Sequence, residues 1–225
     1  EVGGHILSGA ILEPRALNEL FENWKDMEDC PVNVPVEKES LKFLTEDNAY
    51  NIPNLFIPPV MHNKGNFIIS LGTFCKWLSK EAEKLGVEIY PGFAASDIMI
   101  ENGKLTGIVT GDQGVEKDGK QGSNFQPGIE IHSKFTLFAE GCRGNLGKKL
   151  MNRFNLRENT QHQTYGIGLK ELWEIKQDNS NPGEVTHSIG WPLDNETYGG
   201  SLLYHLEKNL FSFGFVIGLD YKNPY

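Results

Sequence analysis

A glycine pair set among aromatic and aliphatic residues is the feature of this sequence best suited to bind a partly apolar group. Gly199 and Gly200 lie between Tyr198 and the run Leu202-Leu203-Tyr204, inside the segment GWPLDNETYGGSLLYH at 190–205. Residues without a Cβ allow unusual backbone dihedral angles, and another group can approach their amides closely. Glycine pairs also commonly mark turns, so a plain turn is the alternative interpretation of the pair taken alone.

A second candidate is the sequence FAEGCRG at 138–144, which reads as a strand, a tight glycine turn and the start of a helix. Such a turn points backbone N–H groups and the positive end of a helix dipole at an anion or a polarised carbonyl. Glu140 and Gly141 occupy the turn. Many strand-to-helix turns contain glycine, so this motif gains meaning only from the elements around it.

The other titratable residues predict no catalytic side chain and no metal ligand. Two glutamate pairs are interpreted as solvated surface, because each has a lysine beside its glutamates: Glu37 and Glu39 with Lys38, and Glu81 and Glu83 with Lys84. The six histidines show no HExxH spacing, and the Ser, His and Asp residues form no nucleophile elbow. Three widely spaced cysteines fit neither a disulfide framework nor a CxxC site, which favours a reducing compartment.

Composition and charge exclude some classes of function. The 225 residues carry a net charge of -9 and are 39% hydrophobic, as in ordinary globular proteins. An acidic chain without a dense Lys/Arg run is a poor nucleic-acid surface, so we expect no nucleic-acid partner. The length is sufficient for one large domain or two small ones with a real core.

Helical periodicity identifies the elements that must position the two motifs. The clearest helix is predicted for 71–85, where Ser70 is a suitable N-cap and Gly86 ends the apolar pattern. Pro14 opens a shorter helix, and a third helix should follow Gly144.

Strand patterns occupy most of the remaining chain. Strands are predicted at 87–91 and 135–139, and Asn102-Gly103 should turn a hairpin. The polar, glycine-rich stretch 114–128 is predicted to be a surface loop. In 210–217 the phenylalanines alternate with small residues and should share one face of a strand. The sequence therefore predicts α/β structure in the first two-thirds and mostly antiparallel β structure afterwards, with a boundary near 155–164.

The segment NLFIPPVM at 54–61 is apolar and too rich in proline to form a regular helix. Eight residues are also far fewer than the roughly 20 that a membrane-spanning helix needs. An exposed apolar loop of this kind can lie at a membrane interface. A proline-kinked core segment is the alternative.

The order of helix, strand, hairpin and glycine turn also occurs in the FAD domain of glutathione-reductase-type and hydroxylase-type flavoproteins. Seven blocks then make the chain resemble the electron-transfer flavoprotein–ubiquinone oxidoreductase family over nearly its whole length: GGHILSGA, HNKGNFIISLG, LGVEIYPGFAA, FTLFAEGCRG, YGIGLKELWEI, GWPLDNETYGGSLLYHLE and GFVIGLDYKNPY. The chain contains no GxGxxG dinucleotide motif. We therefore expect that motif upstream of Glu1 in a longer protein.

The resemblance implies an FAD enzyme that lies in one leaflet of a membrane and passes electrons from reduced electron-transfer flavoprotein to ubiquinone. It implies a partial glutathione-reductase-type FAD domain at 1–160, with a membrane-facing loop near 41–61, followed by a partial, mostly antiparallel ubiquinone-binding domain at 161–225. Family members also carry a 4Fe-4S cluster on four cysteines, which are expected beyond Tyr225. The expected location is the matrix side of the mitochondrial inner membrane or the cytoplasmic side of a bacterial plasma membrane.

The resemblance also assigns residues to three sites. Quinone binding is expected at Tyr198, Gly199 and Gly200, where close approach to the backbone and an amide donor would suit a flat ring with carbonyls. Flavin contacts are expected at His5, Ser8, Gly9, Ala10, Glu140 and Gly141. Membrane contacts are expected at Leu55, Phe56, Ile57, Pro58, Pro59 and Val60.

Two other interpretations remain open. One is a related flavoprotein of the geranylgeranyl reductase or aromatic hydroxylase type, which NAD(P)H as redox partner would distinguish from a quinone reductase. The other is a non-catalytic membrane-surface module, because the chain by itself lacks the dinucleotide loop and is expected to be inactive.

Overall fold

The computed structural model describes residues 1–6, 9–176, 181–207 and 209–221, which form two compact units. Residues 1–89 and 163–225 make up the first unit, and residues 90–162 make up the second. The break after His162 lies within the boundary region expected from the sequence. The packing of the first 89 residues with the C-terminal segment was not predicted.

Short helices are interspersed among the strands in the first two-thirds of the chain. The strands are β1 (Ala10–Leu12), β2 (Val34–Pro35), β3 (Lys38–Leu44), β4 (Ala49–Ile52), β5 (Phe67–Ile69), β6 (Ala95–Glu101), β7 (Lys104–Thr110), β8 (Gln113–Val115), β9 (Gln121–Gln126), β10 (Glu130–His132), β11 (Gly166–Glu174), β12 (Glu184–Gly190), β13 (Gly199–His205) and β14 (Leu210–Gly218). The α-helices are α1 (Arg15–Leu20), α2 (Leu71–Lys84) and α3 (Asn145–Arg153), with 3₁₀ turns at Trp24–Asp26, Asn54–Phe56 and Pro59–Met61. The chain is thus a mixed α/β structure in which sheet predominates.

A six-stranded sheet organises the first unit, in the order β11-β14-β13-β12-β3-β4. Its pairings are antiparallel except that β12 runs parallel to β3. Side chains alternate between the two faces of a strand, so residues two apart share a face. The inner face carries Val185 and Tyr204, which pack against Ile68 in one hydrophobic cluster.

The alternation predicted for β14 is present, and the side with the small residues is the buried one. Ser212 is fully buried, whereas Phe213 on the opposite face is 44% exposed. Close packing explains the small side chain: Gly9 lies so near Ser212 that a Cβ at Gly9 would overlap its hydroxyl. The phenylalanines therefore belong to the outer face of the sheet.

Helix α2 confirms the strongest helical prediction, because it runs from Leu71 to Lys84 behind the predicted N-cap. The Ser70 hydroxyl accepts a hydrogen bond from the Thr73 amide at 3.4 Å. The buried face of α2 places Phe74 and Trp77 in a second hydrophobic cluster, with Trp24. This cluster supports β1 and β5, which lie next to the site described below.

The second unit contains the predicted hairpin between β6 and β7, with Asn102 and Gly103 at positive φ. Strand β10 completes a three-stranded sheet on β7, and α3 lies against β6. Lys149 of α3 forms an ion pair with Asp97 of β6, with Nζ 3.0 Å from Oδ1.

Three local predictions were wrong. The runs 87–91 and 135–139 are not strands, and the predicted loop at 114–128 contains β9 and one end of β8, which pair as a hairpin. An apolar run becomes a strand only when another strand satisfies its backbone groups, and neither run has a pairing partner among the described strands. The polar hairpin forms because backbone pairing does not require apolar side chains.

Candidate functional site

A cavity of about 460 Å³ lies on the inner face of the six-stranded sheet. This volume is within the usual range for small-molecule sites, about 300–1,000 Å³. Its walls come from β1 and the residue before it, from the turn at Pro59–Met61, and from β11, β12 and β13. The lining residues are Gly9, Ala10, Ile11, Val60, Met61, Asn63, Lys170, His187, Leu202 and Tyr204.

The cavity has one apolar side and one polar side. Aliphatic and thioether groups form the first: Ile11, Val60, Met61 and Leu202. Nitrogen and oxygen groups form the second: Asn63, Lys170, His187 and Tyr204. Such a lining suits a flat organic ring that carries a few hydrogen-bonding groups.

A histidine and a tyrosine from neighbouring strands are hydrogen-bonded in the polar wall. Nε2 of His187 lies 2.9 Å from the hydroxyl of Tyr204, and the rings meet edge to face. Burial lowers the pKa of His187, although the Glu39 carboxylate acts in the opposite direction. Burial also raises the pKa of Tyr204. Both effects favour the uncharged forms of the two side chains near neutral pH.

Glu39 is part of this polar region, which corrects its interpretation as a solvated surface residue. Its carboxylate lies 2.7 Å from Nδ1 of His62 and accepts a bond of 2.7 Å from the Asn63 amide. Partial burial opposes ionisation, but these hydrogen bonds hold the pKa of Glu39 below its usual value. Glu81 is likewise buried, and it pairs with Lys84.

Lys170 connects the first strand to the sheet. Its Nζ donates a hydrogen bond of 2.6 Å to the carbonyl oxygen of Gly9. Gly9 has a φ of +94° and no room for a Cβ, so this backbone position requires glycine. The segment entering β1 is thereby held at the edge of the cavity.

The N-terminal residues expected to contact flavin do not all lie at the cavity. Gly9 and Ala10 line the cavity. His5 is exposed. Ser8 lies outside the described residues, so its prediction has no structural counterpart here.

The glycine pair opens β13 and is partly exposed rather than enclosed in the core. A Cβ on Gly199 would overlap the carbonyl oxygen of Val216, and one on Gly200 would overlap that of Ser188. Close strand packing is thus sufficient to explain both glycines. Gly200 also shares the inner face with Leu202 and Tyr204, because each is two positions from the next along the strand. Tyr198 is 80% exposed.

A side chain of the FAEGCRG turn accepts the hydrogen bonds of the first amides in the helix that follows. The Glu140 carboxylate accepts hydrogen bonds from the amides of Leu146 at 3.2 Å and Gly147 at 2.8 Å, in the first turn of α3. Gly141 has a φ of +75°, as a tight turn requires. The amides that were expected to face an external anion therefore face Glu140, and the flavin contacts of Glu140 and Gly141 stay predictions.

The apolar loop at 54–61 projects most of its side chains outward. Leu55 is 89% exposed, Phe56 72% and Val60 92%, and the prolines at 58 and 59 are exposed as well. Ile57 is the exception at 7% and fixes the loop from inside. Within the described ranges, no helix is long and apolar enough to cross a membrane.

Sequence reasoning missed the polar wall of the cavity. Alternation along β12 and β13 could have shown which residues share a face with His187 and which with Tyr204. It does not show which face of the sheet lines a cavity. Glu39 was assigned to the surface because Lys38 lies directly beside it in sequence. In the part of the chain that the structure describes, no group of three or more His, Cys, Asp or Glu residues could hold a metal ion.

The whole chain is similar to proteins named electron transfer flavoprotein-ubiquinone oxidoreductase. It is 53% identical to the one from Pseudomonas aeruginosa and 51% identical to the mitochondrial one from Bos taurus, over 100% of this chain in both cases. Residues 165–225 match the family described as "ETF-QO, ubiquinone-binding". The family resemblance seen in the sequence blocks is therefore confirmed. The chain covers 41% and 37% of the length of these two relatives.

Solved structures with a similar fold are much more distant in sequence. A geranylgeranyl bacteriochlorophyll reductase-like protein from Thermoplasma acidophilum has a TM-score of 0.63 and 14% identity, over 96% of this chain and 48% of that protein. A triple mutant of a flavin-dependent brominase has a TM-score of 0.59 and 14% identity, over 98% and 49%. At this identity the likeness concerns the fold alone.

Proposed function

We propose that this chain forms the quinone-facing part of an electron transfer flavoprotein-ubiquinone oxidoreductase. In this function the full-length enzyme takes electrons from reduced electron transfer flavoprotein and reduces ubiquinone to ubiquinol. The observation that carries the proposal is the cavity, because four of its lining residues belong to the segment that matches the ubiquinone-binding family. Its apolar and polar sides correspond to the ring and the carbonyl oxygens of a quinone.

FAD is the cofactor that we propose for the full-length enzyme, within a glutathione-reductase-type domain. The residues present fit a flavin edge: Gly9 and Ala10 offer backbone at the cavity, and Lys170 offers a cation beside it. Further contacts at His5, Glu140 and Gly141 are proposed from the family resemblance. When bound, the flavin would supply the electron-transfer chemistry, while the chain binds, orients and shields the reactants.

The 4Fe-4S cluster of the family is proposed for the full-length enzyme, on cysteines outside this chain. Cys30, Cys75 and Cys142 are not assigned to it, since they form no metal-binding group in the described structure. The chain itself contributes the quinone and flavin contacts described above.

Membrane association is proposed through the exposed loop. Leu55, Phe56 and Val60 would enter the interface, and the exposed prolines at 58 and 59 would accompany them. Ile57 is buried and would anchor the loop instead. Mitochondrial and bacterial relatives both exist, so the proposed location is the mitochondrial inner membrane or a bacterial plasma membrane.

The test is a redox-partner assay on the full-length, flavin-loaded enzyme. Reduced electron transfer flavoprotein should reduce the enzyme, and a short-chain ubiquinone should reoxidise it. A geranylgeranyl reductase-like or hydroxylase-like function would contradict the proposal: NAD(P)H would then reduce the flavin, and ubiquinone would not reoxidise it. Liposome binding without any flavin would support the non-catalytic module.

A further inference from the structure

The polar wall of the cavity carries two hydrogen-bonded groups that can both donate and accept protons. We propose that Tyr204 donates protons to the quinone in this cavity and that His187 restores the proton of Tyr204. The proposal rests on the proposed function and adds to it the residues that complete quinol formation.

The positions of the two side chains follow from the sheet. Strands β12 and β13 are antiparallel neighbours, with Val185 opposite Tyr204 and His187 opposite Leu202. His187 and Tyr204 are therefore diagonal neighbours on the inner face, which places them within reach of each other. Their hydrogen bond of 2.9 Å joins them inside the cavity wall.

Burial makes this pair suited to proton transfer rather than to a fixed charge. Tyr204 is only 8% exposed, and burial raises its pKa, so its hydroxyl keeps its proton until a strong base forms beside it. A quinone oxygen becomes such a base as it gains electrons. His187 has a pKa lowered by burial, so it does not retain a second proton.

Other charged groups surround His187 on the elements packed against it. Strand β3 brings Glu39, which is opposite Val185 and so diagonal to His187 on the same face. The turn after Met61 brings His62, bonded to Glu39, and β11 brings Lys170 to the opposite part of the cavity. Glu39 and the partly exposed His62 lie on the side of His187 from which solvent can return a proton to its ring.

Conversion of quinone to quinol consumes two electrons and two protons, and the electrons come from the reduced flavin of the proposed function. For each proton delivered, the O–H bond of Tyr204 breaks and an O–H bond forms on the quinone oxygen. Tyr204 regains its proton from Nε2 of His187 while Nδ1 takes up one from solvent, and proton exchange with solvent then returns the ring proton to Nε2 before the second delivery.

The test compares Tyr204→Phe and His187→Gln with the unaltered full-length, flavin-loaded enzyme. General acid catalysis typically contributes about 10²–10⁴-fold, so we expect Tyr204→Phe to lower kcat for ubiquinone by roughly 10²-fold at pH 7. Reduction of a ferricenium acceptor, which consumes no proton, should change less than about threefold. His187→Gln should shift the pH profile of quinone reduction and leave flavin content unchanged.

Two measurements distinguish proton donation from a merely structural role. The dissociation constant of a non-reducible quinone analogue should stay within about threefold in Tyr204→Phe, since the ring is kept. Equal losses with ubiquinone and ferricenium, an unchanged kcat for ubiquinone, or a loss that appears only in analogue binding would each overturn the proposal. If the unaltered enzyme does not reduce ubiquinone at all, the proposed function itself has failed.

Should Tyr204→Phe not retain flavin, His187→Gln provides the test alone. The proposal then requires a changed pH profile and a larger loss with ubiquinone than with ferricenium. An unchanged profile in that variant would overturn it.

Discussion

Gly200 has two possible reasons to be glycine, and they predict different behaviour. A ligand that rests on its amide would require an open approach, whereas the packing of β13 beside Ser188 requires only that no Cβ be present. The steric reason is visible in the structure. It applies to the protein even when no ligand is bound.

We expect Gly200→Ala to destabilise the protein by about 1–3 kcal/mol, the usual cost of overpacking. Gly168→Ala in β11 is the matched control, because a Cβ there would meet its nearest neighbour at an ordinary 3.5 Å. Denaturant unfolding of both variants measures the difference. Gly200→Ala with unchanged stability and impaired quinone binding would contradict the steric explanation and favour the ligand-binding one.

At the scale of elements, local signals identified helices and turns well. Helix α2 has a cap, an amphipathic face and a terminating glycine within 17 residues of sequence, 70–86. The β6–β7 hairpin has its signal in two residues, Asn102 and Gly103. The runs 87–91 and 135–139 show the limit of such signals, because strand formation depends on a partner that a local pattern does not contain.

The loop at 54–61 makes a prediction about membranes. Replacing Leu55, Phe56 and Val60 together with serine should weaken liposome binding of the full-length enzyme at least tenfold, since each exposed apolar side chain is worth about 1.5–3 kcal/mol when fully buried. Leu20→Ser alters an exposed leucine elsewhere in the same unit and is the control. Equal cosedimentation of the triple variant and the control would show that this loop does not bind the bilayer.

At the scale of the whole molecule, the cavity combines residues that are distant in sequence. The parallel pairing of β3 with β12 brings Glu39 close to His187, although 147 residues lie between them in the chain. Neither composition nor periodicity encodes that pairing. Residue types indicated the glycine pair, and the family resemblance assigned it to quinone and the N-terminal loop to flavin, whereas the polar wall became visible only when the sheet was assembled.

The most direct test of the central claim is to locate the bound quinone. A photoreactive ubiquinone analogue, applied to the full-length enzyme and followed by peptide mapping, should label residues around the cavity such as Met61 and Leu202. Excess ubiquinone should compete for this labelling. Labelling confined to the outer face of the sheet, at Leu169 or Phe213, would contradict a quinone site in the cavity.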